Sequence, residues 1–189
     1  MIYRPHCSQC GACVPVRLPV GKFRLSRGQK RVWQKNRDIR VRPAPAEFNP
    51  AHYELFRRYQ SARHHRGPME GMDSDDYIGF LANPHIESIF YELMMGDRLA
   101  GVAVTDVLPD SLSAVYTFFD PDLSGKSLGT FAILWEIEQA LCRDMKWLYL
   151  GYWIDGCMKM SYKSSFRPLE GFRDRGWRAI ETGADGRRA

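Results

Sequence analysis

The fold is decided by residues 86–119, which read IESIFYELMMGDRLAGVAVTDVLPDSLSAVYTFF. Apolar and β-branched side chains dominate three runs of this stretch, 86–95, 98–107 and 111–119, and such runs predict β-strands. Gly96-Asp97 separates the first two runs by two residues and predicts a tight hairpin, and Pro109-Asp110 predicts the second turn. The stretch is therefore expected to form three consecutive antiparallel strands.

Downstream of this stretch, glycines and apolar periodicity predict a loop, two helices and two strands. The loop contains Gly125 and Gly129. The expected elements are, in order, an amphipathic helix over 127–143, a strand over 146–153, a short helix over 157–164 and a last strand over 171–180.

Upstream, three capping residues mark helix starts: Ser26, Asn49 (followed by Pro50) and Asp73. The helices are expected to run to about Asn36, Gly67 and Leu81, respectively. Residues 39–42 are expected to be extended and Pro43-Ala-Pro-Ala to be a connector, while the two prolines within residues 14–20 suit an edge strand or an extended segment.

This order of elements predicts an α+β protein with a mixed, mostly antiparallel sheet flanked by helices. The layout resembles the core of the Gcn5-related N-acetyltransferase fold, in which a strand leads into a loop and helix that hold the acyl donor. The connector divides the chain into a small cysteine-containing basic module, residues 1–45, an acetyltransferase-like domain, residues 46–181, and a flexible tail, residues 182–189.

The positive charge is concentrated in one region. Residues 22–42 hold nine Lys or Arg and one acid, a net charge of +8, while the whole chain has a net charge of +5. A local excess of this kind indicates a polyanionic partner, since acids usually intersperse a protein surface. A solvated helix face is the alternative.

Cysteine usage and hydropathy indicate a cytoplasmic protein. The five cysteines are odd in number and three lie within residues 7–13, unlike the even, dispersed cysteines of a disulfide framework. No apolar run reaches the length of about 18 residues that a membrane span needs. The N-terminus lacks the apolar region of a secretory signal.

Two stretches carry a family resemblance. Residues 3–17 read YRPHCSQCGACVPVR, and residues 149–170 read YLGYWIDGCMKMSYKSSFRPLE. With residues 59–69 (YQSARHHRGPM) and 106–110 (DVLPD) between them, they resemble the bacterial aspartate/glutamate leucyltransferases, relatives of eukaryotic arginyl-tRNA–protein transferase.

The resemblance implies that leucyl-tRNA donates leucine to proteins whose N-terminal residue is Asp or Glu, which marks them for N-end rule degradation. Arginine is the donated residue in the eukaryotic branch. Members usually carry some tens of residues and another cysteine pair before the first stretch, and this sequence departs from that pattern because it opens almost directly on Tyr3-Arg4-Pro5.

Such a reaction needs alignment more than a strong nucleophile. The attacking α-amine has a pKa of ~8 and the ester is already activated, so positioning alone can supply ~7–11 kcal/mol. Donors for the developing oxyanion are also required. The sequence has no serine or cysteine triad signature, which agrees with direct transfer.

An acceptor that begins with Asp or Glu requires a cationic pocket, because arginine can bind a carboxylate through two parallel hydrogen bonds. Candidates are Arg63, His64, His65, Lys163 and Arg167. Arg63 and His64 are preferred, since the chain has five histidines and two of them adjoin this arginine. Ordinary surface charge is the alternative for each.

Candidates for orienting the amine or relaying its proton are Asp106, Tyr116, Tyr149 and Tyr152. Tyr149 and Tyr152 lie near the end of a predicted strand, where this fold places its acyl-transfer cleft; packing is the alternative. Trp153 and Phe166 are candidate walls of an apolar pocket for the leucyl side chain, or core residues.

Candidate tRNA-binding residues are Arg27, Lys30, Arg31, Lys35, Arg37 and Lys126, which would contact phosphates. Lys126 opens the loop Lys-Ser-Leu-Gly-Thr before the long helix, where acetyltransferases carry a two-glycine pyrophosphate loop. A single glycine fits coenzyme A poorly and suits the 3′ end of tRNA. The alternatives are a coenzyme A-dependent N-acetyltransferase, a non-catalytic metal-containing RNA-binding module and an inactive remnant.

Cys7, Cys10 and Cys13 have metal-ligand spacing. Zinc or an iron–sulfur cluster usually takes four protein ligands, and His6 is the candidate fourth. Free thiols are the alternative, and the transfer itself is expected to need no cofactor.

Overall fold

The computed structural model describes residues 10–82 and 85–180. The strands there are β1 Val14–Pro19, β2 Ile39–Pro45, β3 Ser88–Met95, β4 Arg98–Leu108, β5 Ser111–Phe119, β6 Trp147–Trp153, β7 Glu170–Arg173 and β8 Gly176–Ala179. The α-helices are α1 Arg27–Lys35, α2 Pro50–Arg63, α3 Ser74–Leu81 and α4 Leu128–Cys142. Short 3₁₀ helices cover Val20–Lys22, Pro121–Lys126 and Met158–Ser165.

The eight strands form one sheet in the order β2-β3-β4-β5-β6-β1-β7-β8. β5 and β6 are parallel, and the other neighbours in this sheet are antiparallel. The predicted α+β class, with a mixed and mostly antiparallel sheet flanked by helices, is confirmed.

Capping side chains start three of the four helices where the sequence predicts. Ser26 and Gln29 form a reciprocal capping box at α1. Asn49 accepts hydrogen bonds from two backbone amides at the start of α2, and Asp73 does the same for α3. Each cap satisfies donors that the first helical turn leaves without a partner.

β1 is an inner strand, between β6 and β7, rather than the edge strand that its prolines suit. The sheet tolerates Pro15 because the register with β6 shifts between Pro15 and Arg17, and Pro19 is the last residue of the strand. β1 thereby places the N-terminal residues in the same sheet as the C-terminal ones.

Two other elements differ from the predictions. β2 continues through Pro45 instead of ending at Arg42, since Pro43 and Pro45 direct their imino nitrogens to the same side of an edge strand. The last strand is split into the hairpin of β7 and β8, because Asp174 and Arg175 turn the chain with φ angles of 50° and 61°.

Two clusters of buried side chains hold the sheet and helices together. The first includes Phe56 of α2, Tyr77 of α3 and Phe118 of β5. The second includes Leu18 of β1 and Leu148 of β6. α4 contributes to both clusters and contacts both β5 and β6, so it lies along the line where these parallel strands meet.

No helix within the described residues is long and apolar enough to span a membrane.

Candidate active site

The parallel strands β5 and β6 are paired over only part of their length. Their ladder joins Ser111–Ser113 to Trp147–Tyr149. Beyond it, β5 continues beside β4 to Phe119, and β6 continues beside β1 to Trp153. We call the space between the unpaired ends, residues 115–119 of β5 and 150–153 of β6, the wedge.

A β-bulge lies at the root of the wedge. The β4–β5 register pairs Val104 with Tyr116 but Thr105 with Ala114, so Val115 is an extra residue in β5. A bulge re-aims the side chains that follow it. Ala114 packs on the second core cluster, whereas the Tyr116 ring lies 6.3 Å from the Phe56 ring of α2.

One face of α2 forms a wall beside the unpaired end of β5. Gln60, Arg63 and His64 are spaced i, i+3 and i+4 and share that face. Nε2 of Gln60 donates to the Tyr116 hydroxyl oxygen at 2.8 Å, and the Arg63 guanidinium lies 5.8 Å from the centre of the Phe119 ring. The structure therefore places Gln60 beside Tyr116 and Arg63 beside Phe119, with His64 next to the Tyr59 ring at the end of α2.

His64 is held towards its neutral form. Partial burial lowers the pKa of its imidazole, and the positive charges of Lys159 and Arg63 lower it further. Lys159, in the segment Met158–Ser165 that follows β6, therefore lies within electrostatic range of His64. A neutral His64 leaves Arg63 as the cation of this wall.

Two of the predicted acceptor-binding residues have other partners. The Nδ1 atom of His65 lies 3.0 Å from the Glu70 carboxylate, on the exposed side of the chain turn after α2. Arg167 is exposed, and its Nε donates to the carbonyl of Ser164 at 3.4 Å. Neither of these two bonds involves Arg63 or His64.

Lys163 joins the segment Met158–Ser165 to β6. Its Nζ donates to the carbonyl oxygen of Tyr152 at 2.6 Å. Burial lowers the pKa of this amine to about 8. Lys163 thus lies beside the end of β6, on the β6 side of the wedge.

The other predicted catalytic residues are distributed along the sheet. Burial raises the pKa of Tyr116 to about 12, so its phenol is protonated at neutral pH. Tyr149 pairs with Ser113 at the closed end of the wedge, and its ring contacts Trp177 at 5.7 Å. Asp106 is buried in β4 and accepts a hydrogen bond of 2.6 Å from Ser88.

Trp153 and Phe166, the predicted pocket walls, are both buried in the second core cluster. Phe166 has 0% of its surface exposed and stacks on Phe23 at 6.2 Å. The structure therefore places both rings in the packed core.

Helix α1 bridges the two chain segments that leave the wedge. The amide of Gln29 donates to the carbonyl of Ser165, at the end of the segment that follows β6, at 3.2 Å. At the other end of the helix, Asn36 donates to the carbonyl of Lys126, in the loop that follows β5, at 2.8 Å. Trp33 packs against Phe131 of α4 at 5.5 Å. The basic helix is thereby fixed between the loop that follows β5 and the end of the segment that follows β6.

The predicted tRNA-binding side chains lie on this helix and beside it. Arg27, Lys30, Arg31, Lys35 and Arg37 are exposed and Lys126 is half-buried. Lys35 also donates to the carbonyl of Gly125 at 2.6 Å, and Lys126 is paired with Asp38 at 2.7 Å. The hydrogen bond from Lys126 lowers the pKa of Asp38.

Two residues of the site were missed by sequence reasoning: Gln60 and Asp120. Asp120, 2% exposed at the end of β5, accepts hydrogen bonds from Arg58 at 3.0 Å and from Arg98. Burial alone would raise the pKa of Asp120, but these bonds and charges outweigh it and lower the pKa. Asp120 fixes the start of the loop that leads to α4. In the sequence, the dipeptide Asp120-Pro121 indicated only the end of a strand.

The cysteine region precedes β1, at the end of the sheet where β6 stops, because Val14 pairs with Trp153. A cavity of about 550 Å³ there is lined by Cys13, Ile154 and Arg173 among others, and by none of the predicted acceptor-binding residues. Cys10 is exposed and Cys13 is half-buried, while Cys7 lies outside the described residues. Within residues 10–82 and 85–180, no group of three His, Cys, Asp or Glu side chains is arranged to hold a metal.

Comparison with known folds supports the architecture. The C-terminal domain of a putative lysylphosphatidylglycerol synthetase from Agrobacterium fabrum matches 76% of this chain and 47% of its own, with a TM-score of 0.54 and 12% identity. The L-PGS structure from Bacillus licheniformis matches 75% of this chain and 45% of its own, with a TM-score of 0.55 and 11% identity. At this identity the likeness concerns the fold alone.

Comparison of sequences defines the class as that of a transferase. Residues 1–31 match the model of the N terminus of arginine-tRNA-protein transferase, and residues 51–173 match the model of its C terminus. The two matches cover the wedge and the first five residues of the basic helix α1.

Similar proteins indicate the kind of transferase. The aspartate/glutamate leucyltransferase of Marinobacter nauticus is 47% identical over 95% of this chain and 76% of its own length, and that of Nitrosococcus oceani is 45% identical over 96% and 76%. The chain belongs to the arginine-tRNA-protein transferase family.

Proposed function

We propose that this protein transfers leucine from leucyl-tRNA to the N-terminal α-amine of proteins that begin with Asp or Glu, and so marks them for N-end rule degradation. The observation that carries the proposal is the position of α1. This basic helix bridges the segments that leave β5 and β6, so a bound polyanion would lie at the open end of the wedge. The names of the relatives support leucine as the donated residue.

The reaction is an attack of an amine on an ester. The amine nitrogen forms a bond to the carbonyl carbon of the leucyl group, the bond from that carbon to the ribose oxygen breaks, and the proton lost by nitrogen ends on the ribose oxygen. The step needs alignment and donors for the oxyanion rather than an enzyme nucleophile. Tyr116, protonated at neutral pH, can donate such a hydrogen bond.

Arg63 supplies acceptor specificity in this proposal. It is a cation at the end of α2, beside a histidine held towards its neutral form. A guanidinium can bind the carboxylate of Asp or Glu through two parallel hydrogen bonds. Lys163, on the β6 side of the wedge, adds a second positive charge below its pKa of about 8.

The wedge also supports an acetyltransferase-like core. The parallel strands β5 and β6 separate beyond a short ladder, next to a bulge in β5, and α4 begins after the loop that follows β5. Such an arrangement suits a cleft that binds an acyl group. We extend the proposal to cofactors: Cys10 and Cys13 provide two thiols of a metal site, short of the four ligands that zinc takes, and no step of the transfer uses them.

The proposal is tested by incubating the protein with labelled leucyl-tRNA or arginyl-tRNA and peptides that begin with Asp, Glu or Ala, with a metal chelator present. We expect label only from leucyl-tRNA and only on the Asp and Glu peptides. Arg63→Ala and His64→Ala should lose transfer, while Arg57→Ala, on an exposed position of the same helix, should keep it. Equal labelling of the Ala peptide would contradict the cationic pocket, and loss of transfer with the chelator would contradict a metal-free reaction.

A further inference from the structure

Gln60 is a buried amide in the wall of the wedge with one polar atom unused. It has 0% of its surface exposed, and its Nε2 donates to the Tyr116 hydroxyl at 2.8 Å. Its carbonyl oxygen, Oε1, is buried and has no hydrogen-bond partner among the described residues. A buried polar atom without a partner costs roughly 1–3 kcal/mol, as a rule, so such an atom indicates a ligand or a specific role.

The distance between Gln60 and Arg63 matches the distance between two groups of the acceptor residue. It lies three residues before Arg63 on the same face of α2, which is about 4.5 Å along the helix axis. The α-amine and the side-chain carboxylate of a single Asp or Glu are separated by a similar span. A carboxylate bound by Arg63 can therefore present its own α-amine one helical turn back, beside Gln60.

The chemistry of an amide suits this task. A carboxylate beside the amine would stabilise the ammonium form and suppress attack, because an opposite charge raises the pKa of an amine. A neutral carbonyl oxygen accepts an N–H and leaves the lone pair of nitrogen free. The bond from Gln60 also leaves the hydrogen of the Tyr116 hydroxyl available for another acceptor.

We infer that the carbonyl oxygen of Gln60 binds the α-amine of the acceptor protein and aligns it for attack on the aminoacyl ester, a role that rests on the proposed function. Gln60 thus recognises the free α-amine of the acceptor, while Arg63 recognises the side-chain carboxylate of its first residue. Tyr116 holds the amide of Gln60 in place.

The inference is tested by comparing two peptides on the protein without donor: one that begins with Asp, and the same peptide with succinyl in place of Asp, which keeps the carboxylate and lacks the α-amine. Calorimetry at pH 8 should show that the Asp peptide binds the wild type roughly tenfold more tightly. In Gln60→Met this advantage should vanish while the succinyl peptide binds as before. The transfer value of kcat/KM should fall roughly 10- to 100-fold.

Tyr77→Phe is the matched control, since it also removes a buried, unpartnered polar atom from the first core cluster. It should keep the wild-type preference for the Asp peptide. An equal loss of both peptides in Gln60→Met, or an unchanged preference in a folded Gln60→Met, would overturn the inference. If instead the wild type binds neither peptide and transfers no leucine, the proposed function itself fails.

Discussion

The side chain of Glu136 has no exposed surface on α4, and this burial has a consequence for stability. Thr105 donates to its Oε1 at 2.6 Å, while Oε2 has no partner among the described residues. Burial raises the pKa of Glu136 to about 8, against the hydrogen bond from Thr105, which lowers it. The carboxyl group is therefore protonated in the folded protein at neutral pH.

Glu136→Gln should remove a pH dependence of stability. Because the folded pKa exceeds the unfolded one, the folded state holds an extra proton between about pH 4.5 and 8, and its stabilisation is lost progressively as pH rises across that window. We expect wild type and variant to be similar at pH 5 and the variant to be more stable at pH 9, by about 2–4 kcal/mol. Urea unfolding at both pH values measures this, with Glu138→Gln, exposed on the same helix, as control. A difference of the same size at pH 5 would contradict it.

At this scale the sequence predicts residues by type and motif. Arg63 and His64 could be chosen because two histidines beside an arginine are unusual in a chain poor in histidine. Gln60 could not, since a glutamine within a helix has no local signal; its role depends on Tyr116, 56 residues away. Asp120 was missed for the same reason, because its arginine partners lie on α2 and β4.

At the scale of the element, α1 should determine the salt dependence of tRNA binding. Arg27, Lys30 and Arg31 are exposed on it. Replacing Arg27 and Arg31 by alanine should raise the KM for leucyl-tRNA and reduce the slope of log KM against log salt by about one for each lost phosphate contact.

The control for this prediction is Arg40→Ala, on an exposed position of β2 away from α1. It should change the KM and the slope little. Initial rates over a range of potassium chloride concentrations, with acceptor peptide saturating, provide both quantities. An unchanged slope in the double variant would show that α1 does not contact phosphates.

Elements with local signals were predicted well. The caps at Ser26, Asn49 and Asp73 and the turn at Gly96-Asp97 each act within a few residues. The insertion of β1 between β6 and β7 depends on contacts more than a hundred residues apart in sequence. The β7–β8 turn was missed because Asp174 and Arg175 adopt positive φ angles that glycine or asparagine usually takes.

At the scale of the whole molecule, the site is assembled from both ends of the chain. β1 supplies the strand against which β6 continues past the wedge, and α1 bridges the segments that leave β5 and β6. The domain boundary that the sequence predicts between residues 45 and 46 falls at the end of β2. All of β2, Ile39–Pro45, pairs with β3. The N-terminal residues are thus part of the same sheet as the wedge.

A chain limited to residues 46–189 should therefore not fold by itself. Without β1 and the 3₁₀ helix that follows it, the second core cluster loses Val16, Leu18 and Val20, all at most 1% exposed, and β6 and β7 lose their shared neighbour. Burying each such side chain contributes roughly 1.5–3 kcal/mol, so the loss is comparable with the whole stability of a domain. Circular dichroism and urea unfolding of residues 46–189, with the 189-residue chain as reference, should show no cooperative transition for the shorter chain. Adding a peptide of residues 10–45 should restore part of the transition. A cooperative transition in residues 46–189 alone would show instead that the acetyltransferase-like part is an autonomous domain, and that the basic module is only attached to it.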